Sequence, residues 1–310
     1  MKPELRHLRY LLAVAEHAHF TRAAEELHIS QPTLSQQIKQ LEKALGVQLL
    51  DRTGRTVRLT DAGETYVHHA RRALQDLAAG ERAVLDVQDL SRGHLRLAVT
   101  PTFTAYLTGP LVTDFHARHP GISLEVREMT QDRIEAELLG DRLDLGIAFA
   151  GPHLPGIRAT ALFTETLSLV VGPLHPDHDA PGRQPVSALD ERQLALLSED
   201  FATRRHIDDY LARHGVHPRI AVEANSLLAL TEIVRRGPLA TVLPDALTRD
   251  HPHLTTVPLD PALPARTVTL LRRETAYQSA AARAFARLTT GWARAQGYPE
   301  PCGNESTRGA

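Results

Sequence analysis

Leu5, Leu8, Leu11, Leu12 and Ala15 recur at helical spacing and predict a first helix reaching about His17. A short second helix, Arg22 to Leu27, follows with Thr21 as its expected N-cap; Ala23 and Ala24 are small enough for close helix contact. His28-Ile29-Ser30 is a tight connection. Ser30 or Gln31 caps a third helix, which carries Pro32 in its first turn, where the missing N–H costs nothing. That helix buries Leu34, Ile38, Leu41 and Leu45 and stops at Gly46. Thr53-Gly54, inside Leu49–Leu59, predicts a hairpin, and Thr60 caps a long helix from Asp61 to Leu90. Val67, Ala70, Leu74, Leu77, Val84 and Leu85 mark one side of it at near-heptad spacing. About 30 helical residues span about 45 Å, too far for one small domain to cover. Val67, Leu74, Leu77 and Val84 are therefore expected to meet the same helix in a second copy, giving a homo-oligomer, and Ser91-Arg92-Gly93 reads as a hinge.

After Gly93 the pattern changes to strands alternating with helices. Strands are expected at His94–Thr100, Ser123–Met129 and Leu143–Phe149, with a helix through Phe115 and His119 and another over Arg133–Leu139. The near-continuous apolar run at Leu143–Phe149 suits a parallel sheet buried on both faces. A second series begins near Thr166, with strands Leu167–Gly172, Leu194–Ser198, Ile220–Ala224 and Ala240–Leu243 and helices Thr203–His214 and Leu227–Arg236. Strand Arg266–Arg273 and helix Ser279–Ala295 complete the pattern. The economical architecture is α/β, with two Rossmann-like subdomains and a ligand cleft between them.

Composition narrows the function. The 310 residues are 42% hydrophobic and 23% charged, the balance of an ordinary globular protein with two or three domains. No apolar run approaches the roughly 20 residues of a membrane span, and the N-terminus lacks a signal-peptide pattern, so the expectation is a cytoplasmic protein without a membrane partner. The only cysteine, Cys302, excludes an intrachain disulfide and a cysteine metal site. Net charge is −2, yet residues 1–60 hold nine basic and six acidic side chains; this segment is +3 and the remainder −5. No nucleophile-elbow, zincin or P-loop pattern occurs. His175-Pro176-Asp177-His178-Asp179 offers metal donors, but in a Pro-rich loop with nothing to hold them at one point. Neither a catalytic residue, a metal nor a cofactor is assigned. A transport-type solute-binding protein would share the sensor pattern but would require export.

The third helix turns Gln31, Thr33, Ser35, Gln36 and Lys39 away from its apolar stripe. These side chains suit base edges and phosphates in a major groove. With Thr21, Arg22 and Pro32 nearby, they form the candidate DNA face of a winged helix-turn-helix, and Arg52, Arg55 and Arg58 of the wing are placed for phosphate or minor-groove contact. The series Phe20-Thr21-Arg22-Ala23-Ala24, Leu27 to Ile38, Leu41-Glu42, Leu45-Gly46, Leu49-Leu50-Asp51-Arg52 and Leu59-Thr60-Asp61-Ala62-Gly63 resembles the N-terminal module of LysR-type transcriptional regulators, without a gap. The resemblance implies double-stranded promoter DNA as partner, RNA polymerase as a further one, dimerisation through the long helix, and an effector domain folded like periplasmic binding proteins. In that layout the chain crosses between subdomains near residues 162–165 and returns near 265–268. The expected domains are 1–60 (DNA-binding), 61–92 (linker helix) and 93–296 (effector). Subdomain I takes 93–163 and 267–296, subdomain II takes 164–266, and 297–310 is a disordered tail.

Ligands in such sheets sit at the carboxyl ends of strands, against helix N-termini. That rule selects Thr100, Pro101, Thr102, Thr130, Gln131, Phe149, Ser198, Phe201, Thr203 and Asn225 as effector residues. None is a lysine or arginine, so a small anion would be held by hydroxyls and backbone N–H groups alone. The stretches Thr100 to Thr104, Leu143 to Phe149, Phe201-Ala202-Thr203-Arg204, Glu223-Ala224-Asn225-Ser226 and Arg266 to Arg273 are further similar to LysR-type activators of cyanate operons. This implies cyanate or a related small anion as effector and cyanate-degradation genes as targets.

Overall fold

The computed structural model describes residues 3–53, 56–86, 93–179, 182–249 and 251–301. The chain forms two compact units, Met1–Val87 and Gln88–Ala310.

The first unit holds helices α1 (Leu5–His17), α2 (Phe20–Glu26), α3 (Gln31–Leu45), a two-strand wing β1 (Leu50–Asp51) and β2 (Arg58–Leu59), and α4 (Asp61–Asp86). Leu11, Val14, Ala23, Leu34, Ile38 and Leu41 form its core and are fully buried. The cap of α2 differs from the sequence expectation. His19 occupies it and its Nδ1 accepts from the Thr21 N–H at 3.2 Å, which leaves Thr21 in the first turn. Ser30 caps α3 by accepting from the Thr33 N–H, and Gly46 closes it at φ +71°. Buried His7 ties α1 to α3: its Nδ1 accepts from the Glu4 N–H and its Nε2 lies 3.1 Å from Gln37 Oε1.

Glu42 anchors the wing to α3. Its Oε1 accepts from the N–H groups of Leu49 and Leu50, and its Oε2 from Arg52. Thr60 caps α4 through the Gly63 N–H, and a Cβ on Gly63 would stand 2.0 Å from the Leu49 carbonyl oxygen, so α4 meets the wing at a point only glycine allows. The apolar stripe of α4 divides in two. Val67 and Ala70 are buried, and Val67 belongs to the unit's own core, which corrects its assignment to a partner; Leu77 and Val84 are 46% and 72% exposed. Arg55, Leu90, Ser91, Arg92 and Cys302 lie outside the described residues, as does the side chain of Leu85.

The second unit is built on two five-stranded sheets. Its first stretch holds β3 (Gly93–Val99), α5 (Pro101–Phe103), a π-helical turn Thr104–Thr108, α6 (Gly109–Arg118), β4 (Ile122–Glu128), α7 (Gln131–Leu139), β5 (Leu145–Phe149) and β6 (Ile157–Glu165). Then follow β7 (Leu167–Val171), β8 (Gln184–Pro185), a 3-10 turn Val186–Glu191, β9 (Gln193–Leu197), α8 (Ala202–His214), β10 (Arg219–Ala224), α9 (Leu227–Arg236), β11 (Ala240–Pro244) and α10 (Asp245–Thr248). Strands β12 (Thr255–Val257), β13 (Leu259–Asp260) and β14 (Arg266–Arg273) lead to α11 (Ala280–Ala295).

One sheet has the order β4-β3-β5-β14-β6, the other β10-β9-β11-β7-β12. The chain leaves the first sheet after Glu165 and re-enters it at Arg266. Strands β3, β4 and β5 are parallel, as expected, whereas β14 runs antiparallel to both β5 and β6. The mixed sheet has a functional consequence. The first residue of β14, Arg266, lies at the same edge as the carboxyl ends of β3, β5 and β6.

The expected disordered tail is corrected over residues 297–301. Gly297, at φ +67°, ends α11 by donating to the Arg294 carbonyl, and the Tyr298 N–H donates to that of Ala293. Tyr298 then packs against Phe163 and Trp292.

Candidate functional site

The exposed face of α3 presents Gln31, Pro32, Thr33, Gln36 and Lys39, with Ser35 half-buried beside them. Helix period and an apolar stripe opposite are sufficient to place them on one side. The Thr33 hydroxyl lies 2.7 Å from Ser30 Oγ, so it is part of the cap as well as of the face. Thr21 and Arg22 are exposed on α2. Among the wing arginines, Arg58 is exposed while Arg52 is not the projecting side chain expected. It donates to Glu42 at 2.8 Å and stands over the Phe20 ring at 5.2 Å. Its role within the unit is to hold the wing, and it is corrected from a freely projecting contact.

In the second unit a buried polar cluster gathers at the carboxyl edge of the first sheet. Thr102 Oγ1 lies 3.0 Å from Thr203 Oγ1, joining α5 of one subdomain to α8 of the other. Arg266 Nη2 donates to Thr203 Oγ1 at 3.0 Å and its Nε to Glu165 Oε2 at 2.5 Å. The Arg266 guanidinium lies 3.7 Å above the centroid of the Phe149 ring, a cation–π contact worth about 2 kcal/mol when desolvated. The other Glu165 oxygen accepts from the Tyr106 hydroxyl. Burial, followed by the charge of Glu165, pushes the Tyr106 phenol well above its ordinary range, so it stays a donor. The side chains of Arg266 and Glu165 are 8% and 2% exposed.

Two buried atoms at this edge of the sheet lack a hydrogen-bond partner among the described residues: Arg266 Nη1 in the cluster and Thr100 Oγ1 after β3. A desolvated donor without an acceptor costs about 1–3 kcal/mol, more when charged. Arg266 Nη1 stands where both crossing strands, β6 and β14, supply a charged end residue.

The ten effector residues selected from sequence separate into groups. Thr102, Phe149 and Thr203 belong to the cluster, and Thr100, the N-cap of α5, is buried at the carboxyl end of β3. Pro101 and Asn225 instead line a cavity of about 390 Å³, whose apolar walls are Ala105, Leu227, Leu228 and Leu247. The Gln131 amide is occupied by the backbone N–H and C=O of Phe149 and by Glu135, and Ser198 donates to the Ala224 carbonyl. Phe201 is a core residue, and Thr130 is exposed and makes no capping bond. The sequence reading missed Arg266, Glu165 and Tyr106. The carboxyl-edge rule reaches Glu165 once β6 is known, and Arg266 once β14 is known to run backwards. The cluster that holds Thr102, Phe149 and Thr203 thus contains a cation that was not among the residues expected from sequence.

Residues 88–294 match the LysR substrate binding domain, and residues 5–64 match the bacterial regulatory helix-turn-helix protein of the lysR family. The chain belongs to the LysR family of transcriptional regulators. It is a DNA-binding regulator whose larger unit is the family's effector-binding domain. It is 36% identical over 287 residues to a probable hydrogen peroxide-inducible genes activator of Streptomyces viridosporus, covering 90% of this chain and 91% of that one. It is 33% identical over 249 residues to the HTH-type transcriptional regulator AlsR of Bacillus subtilis, covering 78% and 81%. Among solved structures, a full-length OxyR variant from Pseudomonas aeruginosa superposes with a TM-score of 0.69 at 26% identity, covering 94% of this chain and 95% of that one. CbnR complexed with its target DNA shares the fold at a TM-score of 0.62 and 24% identity, covering 93% and 99%. Among the described residues, no helix of this LysR-family regulator is long and apolar enough to cross a membrane, and no cluster of metal-ligating side chains is found.

Proposed function

We propose that this LysR-family regulator is an activator whose effector is a small monoanion, with cyanate the leading candidate and cyanate-degradation genes the targets. The anion is bound by Arg266 Nη1 and the Thr100 hydroxyl, with Thr102 and Thr203 beside them. The observation that carries the reading is the pair of buried donors at one sheet edge without a partner among the described residues. Arg266 is already neutralised by Glu165. A bound monoanion therefore leaves one excess negative charge in a desolvated site and a dianion two, so the smaller charge is favoured. Arg266 and Glu165 each stand at a crossing between the two sheets. An anion that draws the guanidinium from Glu165 biases the angle between the subdomains, the differential contact a switch requires.

Cyanate has three heavy atoms, so about −4.5 kcal/mol is the ceiling for its contacts, a Kd near 1 mM. Response at millimolar concentration is the expected regime. Promoter DNA is read by Gln31, Thr33, Ser35 and Gln36, with Arg58 and Arg55 on phosphate or minor groove, in a dimer or tetramer joined through Leu74, Leu77 and Val84. RNA polymerase is the further partner. A disulfide-based peroxide response within the chain is not the reading, because it carries one cysteine.

One observation favours a second reading. The apolar 390 Å³ cavity between α5 and α9 is far larger than cyanate and suits an organic acid. DNA footprinting with sodium cyanate and with a panel of organic acids decides between them. A footprint that shifts with millimolar cyanate supports the first reading. One that ignores cyanate and shifts with a larger acid refutes it and supports the second.

A further inference from the structure

The segment after α11 does more than end a helix. The turn at Gly297 sends the chain back across β6, the outer strand of its sheet. There the Pro299 carbonyl accepts from the Thr164 N–H at 2.9 Å, and the Glu300 carbonyl from the Thr164 hydroxyl at 3.0 Å. Tyr298 lies 4.4 Å from Phe163 and 6.4 Å from Tyr106, centroid to centroid, and the Arg249 guanidinium stands 5.5 Å from its ring. Phe163 and Thr164 immediately precede Glu165, and Tyr106 donates to Glu165. Arg249 follows α10, beyond the crossing. Three residues, Tyr298, Pro299 and Glu300, thus touch the outgoing crossing strand, the tyrosine that holds Glu165 and the second subdomain.

We infer that residues 297–301 are a positioning strap for the effector site, in which Tyr298 and the two carbonyls fix the register and angle of β6 and thereby hold Glu165 against Arg266. This rests on reading the Arg266 cluster as the anion site. An exposed sheet edge normally slides or frays, and covering it with a bonded segment fixes it. Glu165 sits at the last position of that edge strand, where fraying is greatest, so the covering acts where the charge must be aimed. Tyr298 acts through Glu165 and Tyr106.

The test uses the full chain with Tyr298→Ala, Tyr298→Phe and the milder Thr164→Val. Amide hydrogen exchange without ligand reads the strap alone. Tyr298→Ala is expected to speed exchange over residues 163–166 at least tenfold while β4 is unchanged, and Tyr298→Phe, which keeps the ring on Phe163, to speed it several-fold less. Sodium cyanate then probes the site through the DNA footprint. Tyr298→Ala is expected to raise the half-effective cyanate concentration at least fivefold, and Thr164→Val two- to threefold, with the same plateau. Unchanged exchange in Tyr298→Ala overturns the strap, and unchanged half-effective concentration overturns its positioning role. If the wild type ignores cyanate, the cyanate reading fails, and exchange alone decides the strap.

Discussion

The two polar surfaces of this regulator are built in opposite ways. The face of α3 takes five exposed residues from one helix, in a stretch of nine positions, and each keeps its water until DNA arrives. The cluster around Arg266 takes buried side chains from α5, the π-helical turn after it, β5, β6, α8 and β14, which span more than 160 positions. The side chains of the second are buried before any ligand binds. A side chain on the first surface can be replaced with little effect on folding. On the second, binding and stability are coupled, because each donor is also part of the packing between two sheets.

The largest effect that sharpens this contrast is expected for Arg266→Ala. It leaves Glu165 buried without its cation, so the sensor should lose about 3–5 kcal/mol in urea unfolding, together with its response to anions. Unchanged stability would show that the ion pair is solvated and would break the contrast. On the other surface, Gln31→Ala should leave unfolding unchanged and cost about 1–3 kcal/mol of base discrimination, measured by titrating operator variants. Arg58→Ala should weaken all sequences alike and lower the salt slope by about 1. If Arg58 altered base preference and Gln31 did not, the roles would be reversed. Leu77→Glu, on the exposed half of the α4 stripe, should reduce both dimerisation in sedimentation and DNA affinity, the latter by tenfold or more, about 1.4 kcal/mol. Val67→Ala should instead destabilise the first unit without changing the dimer.

The same contrast explains how much was legible in the sequence. Helices α1, α3 and α9 and strand β14 follow from apolar periodicity and from caps such as Ser30, all local signals. The α3 face is legible because one period generates it. Strand β6 was not. Its first half is an exposed sheet edge, so Arg158, Ala159, Thr160 and Ala161 show no alternation to read. Without β6, Glu165 had no strand end to occupy, and the carboxyl-edge rule passed over it. Arg266 opens a strand, and whether that places it at the carboxyl edge depends on direction, which is a property of the sheet and not of the residues in the strand. Tyr298 follows a glycine in a polar stretch, and only the packing on Phe163 shows it as ordered.

The smallest expected effect concerns acid. Burial lowers the pKa of His206, whose Nε2 donates to the Pro264 carbonyl at 2.7 Å, and burial also lowers that of His175. Arg266 and Arg213 lower His206 further, while Glu165 and the Pro264 bond oppose them. Both imidazoles therefore bind a proton more readily when unfolded. Their contribution is fully present above the ordinary histidine value of about 6.5 and is lost as pH falls below it. Thermal unfolding of the sensor between pH 7.5 and 5 should show this decline, and His206→Gln should flatten it. An unchanged slope would mean that His206 is solvated.

The central claim is that Arg266 Nη1 and the Thr100 hydroxyl, buried without partners among the described residues, await an anion, and Thr100→Val tests it most directly. The substitution keeps the shape and removes a buried hydroxyl that has no partner among the described residues. Deleting an unsatisfied polar atom should leave stability equal or slightly higher, by about 1 kcal/mol. Footprinting on promoter DNA, with and without millimolar sodium cyanate, should then show intact DNA binding and a cyanate response at least fivefold weaker than in the wild type. A variant that is no less stable, binds DNA and responds to cyanate just as the wild type does would contradict the account.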